Sequence, residues 1–276
     1  MLKQRVITAI VLVIVFLGVL LGLPAVFLAA FFAVAVLFGA WEWSMLSGLE
    51  SKPARIAYVG AIAALLVGLA NWCQLGGETL NLLRVRDVVG LGCTWWALAL
   101  LLVKFYPASA QLWGSAPVRL ILGVVTLVPA WLALVALRWQ NDGVDWLLVL
   151  VAVVASADIG AYFSGRAWGR AKLAPNVSPG KSWAGFWGGL LAAVLVSSGL
   201  WWLAGQPFSY FAAVVVAIFT VAGSVLGDLS ESMVKRHRGV KDSGNILPGH
   251  GGILDRIDSL TAAAPVLALS IILLGW

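Results

Sequence analysis

Five of the chain's 12 acidic residues fall between positions 228 and 258: Asp228, Glu231, Asp242, Asp255 and Asp258. Lys235, Arg236, Lys241, His250 and Arg256 are interleaved with them, and Pro248-Gly-His-Gly-Gly252 breaks the backbone just ahead of Asp255. Carboxylates offer hard oxygens to a divalent cation, while Lys and Arg hold phosphates. Glycines let main-chain N–H groups approach an oxyanion, and a helix N-terminus attracts anions. Asp228, Glu231 and Lys235 are spaced +3 and +4, so they share a face if a helix continues through them. Asp255 and Asp258, three apart, share a face of the next one. Two further polar groups precede this stretch. Asp158 is an acid inside an apolar run, and 165–182 carries Arg166, Arg170, Lys172 and Lys181 with several glycines and prolines. Together these residue types suit phosphoryl or nucleotidyl transfer onto a lipid-embedded acceptor. No Ser/His/Asp arrangement and no zinc motif competes.

Each piece has a plainer reading. Asp158 could make an interhelical hydrogen bond to a Ser or Tyr. The charges after 227 could be a solvated helix end, and one acid at the start of the last span could serve the helix dipole. The basic loop could touch anionic lipid heads. His250 reads as a hydrogen-bonding group for substrate or as a loop-stabilising residue, because Mg²⁺ seldom uses His. Asn176-Val-Ser178 matches a glycosylation acceptor and is discounted in a loop expected on the cytoplasmic side. Cys73 and Cys93 read as small apolar helix residues.

The elements that must position these groups are membrane helices. Of the 276 residues 62% are hydrophobic and 11% charged, against roughly 25% charged in soluble domains. Apolar runs of about 20 residues recur, each able to cross ~30 Å of hydrocarbon, and continuous runs favour helices over a barrel. Nine spans are expected: 6–22, 25–46, 56–72, 88–105, 118–138, 145–164, 183–203, 208–227 and 259–275. The first reads as an uncleaved helix rather than a signal peptide. With the N-terminus in the cytoplasm, all but Arg84, Arg86 and Arg138 of the 18 lysines and arginines lie on the inner side. Both long polar loops, 165–182 and 228–258, then share that side. Asp158 lies six residues, about 9 Å, inside its span, where an acid is a functional candidate. The fold class is therefore an all-α polytopic membrane protein of one domain. Residues 1–140 form its N-terminal helices, and 141–276 carry the chemistry. The net charge of +6 does not point to nucleic acid.

The gap-free run from Ser232-Met-Val-Lys235-Arg236 through Lys241-Asp242, Pro248-Gly-His250-Gly251-Gly252 and Asp255-Arg256-Ile-Asp258 resembles the signature of the phosphatidate cytidylyltransferase (CDP-diacylglycerol synthase) family. Asp158 with Tyr162, then Ser178-Pro-Gly-Lys181-Ser, looks like that family's other polar segment. Ala184 departs from it, standing where many members carry a polar residue. The resemblance spans roughly 155–260. It implies that CTP and phosphatidate give CDP-diacylglycerol and pyrophosphate, with Mg²⁺ and room for a second, monovalent or divalent, cation. It also implies a homodimer in the bacterial inner membrane, with the active site on the cytoplasmic side. The metal would sit on Asp228 and Asp255, with Asp158, Glu231 and Asp258 as additional or supporting carboxylates. Lys181, Lys235, Arg236, Lys241 and Arg256 would bind phosphates. Ser178, Asp242, His250, Gly251 and Gly252 would shape the substrate pocket, and Asp228, Asp255, Lys235 and Asp258 would form the catalytic core. Enzymes using a polyprenol or an ether lipid share this broad chemistry. An ion-coupled transporter would instead gather its polar residues near the midplane of several helices, not in two loops at one face.

Overall fold

The computed structural model describes residues 2–75, 77, 80–247 and 251–276, with side chains from Ile10 on, Leu12 apart. The apolar runs are helices: α1 (Leu2–Gly22), α2 (Ala25–Leu46), α3 (Lys52–Trp72), α4 (Leu82–Lys104), the short α5 (Ala110–Trp113), α6 (Ala116–Arg138), α7 (Gly143–Trp168), α8 (Trp183–Leu203), α9 (Tyr210–His237) and α10 (Leu254–Leu274). Among the described residues, eight of these have the length and apolar content of a membrane crossing. They are α2, α3, α4 and α6 to α10, and α1 adds the shorter apolar stretch Val13–Gly22. The chain is an all-α polytopic membrane protein. The basic loop after α7 also holds a small antiparallel hairpin, β1 (Lys172–Ala174) and β2 (Ser178–Ser182), pairing Lys172 with Ser182 and Ala174 with Ser178.

α6 is the most enclosed crossing, whereas α3 and α8 face outward. Indole donors tie α2 to α6: Trp43 Nε1 donates to the Arg119 carbonyl at 2.7 Å and Trp131 Nε1 to the Ala29 carbonyl at 3.0 Å.

Two helices differ from the expected spans in a way that matters. α9 runs ten residues past the end of its apolar stretch at 227, because 228–237 contains neither Gly nor Pro and carries the Glu231–Lys235 pair at i,i+4. α10 starts at Leu254, five residues before 259. At 1.5 Å per residue, the 28 residues of α9 extend about 42 Å, more than the ~30 Å hydrocarbon layer. Its charged last turns thus lie beyond the length that a crossing needs.

The loops at this end of the bundle converge. Arg119 Nη2 donates to the Ser47 carbonyl at 2.9 Å, and Asn176 Nδ2 to the Tyr106 carbonyl at 3.3 Å. The His237 ring lies 4.9 Å from that of Trp113. Arg236 Nε donates to the Val177 carbonyl at 3.2 Å, which brings the two long polar segments to the same end.

Candidate active site

The first centre depends on how closely α7 and α8 approach. Ala157, Gly160, Ala161 and Ser164 of α7 meet Gly185, Gly188, Gly189 and Ala192 of α8, and a Cβ built on Gly160 would lie 2.6 Å from the Ala192 Cβ. Such small-residue faces bring membrane helices into near backbone contact. Asp158 follows Ala157, and β2 feeds directly into α8, so Asp158 and Lys181 open onto one cavity of about 220 Å³ that Tyr162, Phe186 and Asp228 also line. Lys181 Nζ lies 2.6 Å from Asp228 Oδ2, and Ser232 Oγ donates to Asp228 Oδ1 at 3.1 Å. Asp158 makes no hydrogen bond or ion pair among the described residues. The interhelical bond to a Ser or Tyr is absent, and its carboxylate faces the cavity.

The second centre depends on α9 meeting α10. Gly227 packs on the Asp258 main chain so closely that a Cβ has no room. This sets Glu231 and Lys235 against Asp255 and Asp258. Lys235 Nζ lies 2.6 Å from Asp255 Oδ1 and 3.2 Å from Glu231 Oε1, all three side chains being at most 10% exposed. The Asp258 carboxyl faces both Glu231 and Lys235. Two carboxylates thus hold one ammonium, and the Asp258 carboxyl lies against Glu231. Asp255 Oδ2 also accepts main-chain N–H bonds from Ser243 at 2.9 Å and Gly252 at 2.8 Å.

The remaining candidates are less enclosed. Ser178 is half-buried in β2, next to the Val177 carbonyl that Arg236 holds. Lys241, Asp242 and Arg256 are exposed at the rim. Gly251 takes a φ of +81°, and Gly252 is buried. His250 lies outside the described residues. Asp228 and Asp255 are not on one group: each is engaged by its own lysine, and among the described residues no three acids, histidines or cysteines converge as a ready-made metal site.

One candidate residue escaped the sequence reading. Glu42 of α2 is fully buried. Its carboxylate accepts from Leu254 N–H at 2.7 Å, Ile253 N–H at 3.0 Å and Ser243 Oγ at 3.1 Å. The signal was present, since an acid within an apolar span is a functional candidate wherever it occurs. Glu42 and Asp255 also alter the reading of the glycine-rich loop. The N–H groups of Gly252, Ile253 and Leu254, which looked suited to a substrate anion, are already bonded to the protein's own carboxylates.

Paired lysine–carboxylate centres beside a cavity, in a bundle of membrane helices, are a setting suited to phosphate chemistry. The cytidylyltransferase family model matches residues 3–274, and the chain belongs to that family. It is 46% identical to a phosphatidate cytidylyltransferase of Pseudomonas aeruginosa, over all of this chain and 99% of the relative. A Haemophilus influenzae protein of the same name is 43% identical, with 96% of each chain covered. One from Staphylococcus epidermidis is 31% identical, over 98% of this chain and 99% of the relative.

Proposed function

We propose that the chain transfers the cytidylyl group of CTP to phosphatidate, releasing CDP-diacylglycerol and pyrophosphate. The observation that carries this reading is the meeting of Asp158, Lys181 and Asp228 on one cavity at the polar-loop end of the bundle. A soluble nucleotide and a lipid phosphate can both reach that level.

The nucleophile is a phosphate monoester oxygen with a second pKa near ~6. It is already anionic near neutral pH, so no strong base is needed. It bonds to the α-phosphorus of CTP while the bond to the bridging oxygen breaks and the electron pair leaves with pyrophosphate. The barrier is the approach of two polyanions. Lys181 and Lys235, with Arg236, Lys241 and Arg256 at the rim, screen that repulsion, and fixed geometry supplies in-line alignment. The acyl chains stay in the bilayer throughout.

Mg²⁺ fits the donor set. Asp158 and Asp228 present hard oxygens to the cavity, and the site holds more carboxylates than lysines. We assign the ion to Asp228 and Asp255, with Asp158 and Glu231 beside them, and leave room for a second cation. An ion on Asp255 would take Oδ1 in exchange with Lys235, because Oδ2 is committed to two main-chain N–H groups. When bound, the ion neutralises phosphate charge and polarises the reacting phosphoryl group. The same proposal includes a homodimer in the bacterial inner membrane with this end in the cytoplasm. The loop lysines and arginines, and relatives that are bacterial, support that side and that membrane.

The test is purified protein in detergent with CTP, phosphatidate and Mg²⁺, with and without chelator. CDP-diacylglycerol should form and chelator should abolish it. Failure to form product overturns the activity, and full activity in Asp255→Asn overturns the role of Asp255.

A further inference from the structure

We infer that Glu42 is a positioning residue for cytidylyl transfer, acting through Ser243 and through Gly252, Ile253 and Leu254 at the start of α10; this rests on the activity proposed above. α10 begins at Leu254 with Ile253 in the capping position, and Ile253 has no side-chain acceptor to offer the first N–H groups. Glu42 supplies it from another helix, more than 200 residues away in sequence, with Oε1 on Ile253 and Oε2 on Leu254. Its negative charge suits the positive end of the helix dipole.

Glu42 also holds the start of the loop. Ser243 is gripped twice, its hydroxyl by Glu42 Oε2 at 3.1 Å and its N–H by Asp255 Oδ2 at 2.9 Å. The contacts therefore run Glu42 to Ser243 to Asp255 to Lys235, from a helix with no reacting group into the centre of the site. The fit has no slack. A Cβ built on Gly252 would lie 2.5 Å from both Glu42 oxygens, and one on Gly244 2.5 Å from Oε1. A glutamine at 42 is nearly isosteric, but whichever way its amide turns, its nitrogen faces a main-chain N–H. The loop must then shift, and Asp255 shifts with it. Since the Gly252, Ile253 and Leu254 N–H groups are occupied, substrate phosphates depend on side-chain cations. Losing Glu42 should therefore disturb geometry more than binding.

The experiment compares Glu42→Gln, Ser243→Ala, their double variant and Leu132→Ala, a buried α6 residue remote from these contacts. For each, kcat, KM for CTP and phosphatidate, thermal unfolding and amide exchange are measured. Glu42→Gln should lower kcat on the order of 100-fold, as a misplacement of about 1 Å does, with both KM values within about threefold. Exchange protection should be lost at Ser243, Gly252, Ile253 and Leu254 and kept in the other helices. Ser243→Ala should lower kcat several-fold, and the double variant should be no worse than Glu42→Gln, because both act through one loop. Leu132→Ala should lower the unfolding temperature while its folded fraction keeps wild-type kcat. The inference is overturned if the two losses multiply, if KM rises while kcat holds, or if Glu42→Gln loses activity only in step with unfolding, as Leu132→Ala does. If Glu42→Gln does not fold, Ser243→Ala decides: unchanged kcat overturns the inference. If wild type makes no product, the activity reading fails, and exchange at Ser243 and Gly252–Leu254 still decides whether Glu42 holds these groups.

Discussion

Replacing Lys235 with Met removes the one ammonium among Asp255, Glu231 and Asp258. The aliphatic stem keeps its packing, so the variant isolates the charge. Its Nζ sits 2.6 Å from one carboxylate and 3.2 Å from another, with side-chain exposures of 10% for Lys235, 7% for Asp255 and 2% for Glu231. Water screens such a cluster poorly, and removing one partner of a buried pair costs about 3–5 kcal/mol. At roughly 2–4 °C per kcal/mol for chains of this size, the unfolding temperature should fall on the order of 10 °C. The assay is tryptophan fluorescence during heating in detergent at a fixed scan rate, for which the 15 tryptophans give ample signal. Adding Glu231→Gln removes a carboxylate along with the cation and should recover a large part of the loss, while turnover stays absent in both variants. Unfolding of Lys235→Met within about 2 °C of wild type, or two changes that simply add, would refute the argument that this cluster is held by mutual charge compensation.

The first centre should respond differently. Lys181 and Asp228 are 26% and 30% exposed, so Lys181→Met and Asp228→Asn should each cost less than about 1 kcal/mol in stability. Turnover of labelled CTP into lipid should nevertheless fall on the order of 100-fold. Gly252→Ala places a methyl group against the Glu42 carboxylate and should cost about 1–3 kcal/mol by overcrowding; heat unfolding and the same turnover assay should both report the loss.

Much of this architecture is written in hydropathy. The α8 crossing follows from its apolar run to the residue, because Ser182 closes the polar loop and caps the helix through Gly185 N–H. α9 is harder to read, since its hydropathy ends at Gly227 while its helix continues on the strength of paired charges. The hairpin 172–182 was legible only as a basic loop, because strands of three and five residues show no alternation and Pro179 lies inside one. Among the site residues, Asp158, Lys181 and Asp228 stood out as charges in or beside apolar runs, and the structure brings them to one cavity. The density of polar residues led to 228–258 and away from Glu42, a lone acid between Trp41 and Trp43 whose partners are remote in sequence. Only the packing of α2 near the start of α10 joins them.

That remoteness also orders events during synthesis. Glu42 enters the membrane with the second helix, and among the described residues the groups that donate to its carboxylate lie at or beyond Ser243. At about 5–20 residues per second, the ribosome takes roughly 10–40 s to make the intervening chain. The working site therefore cannot form until α10 is delivered, and a chain that stops short of it leaves the Glu42 carboxylate without these partners rather than a partly active catalyst.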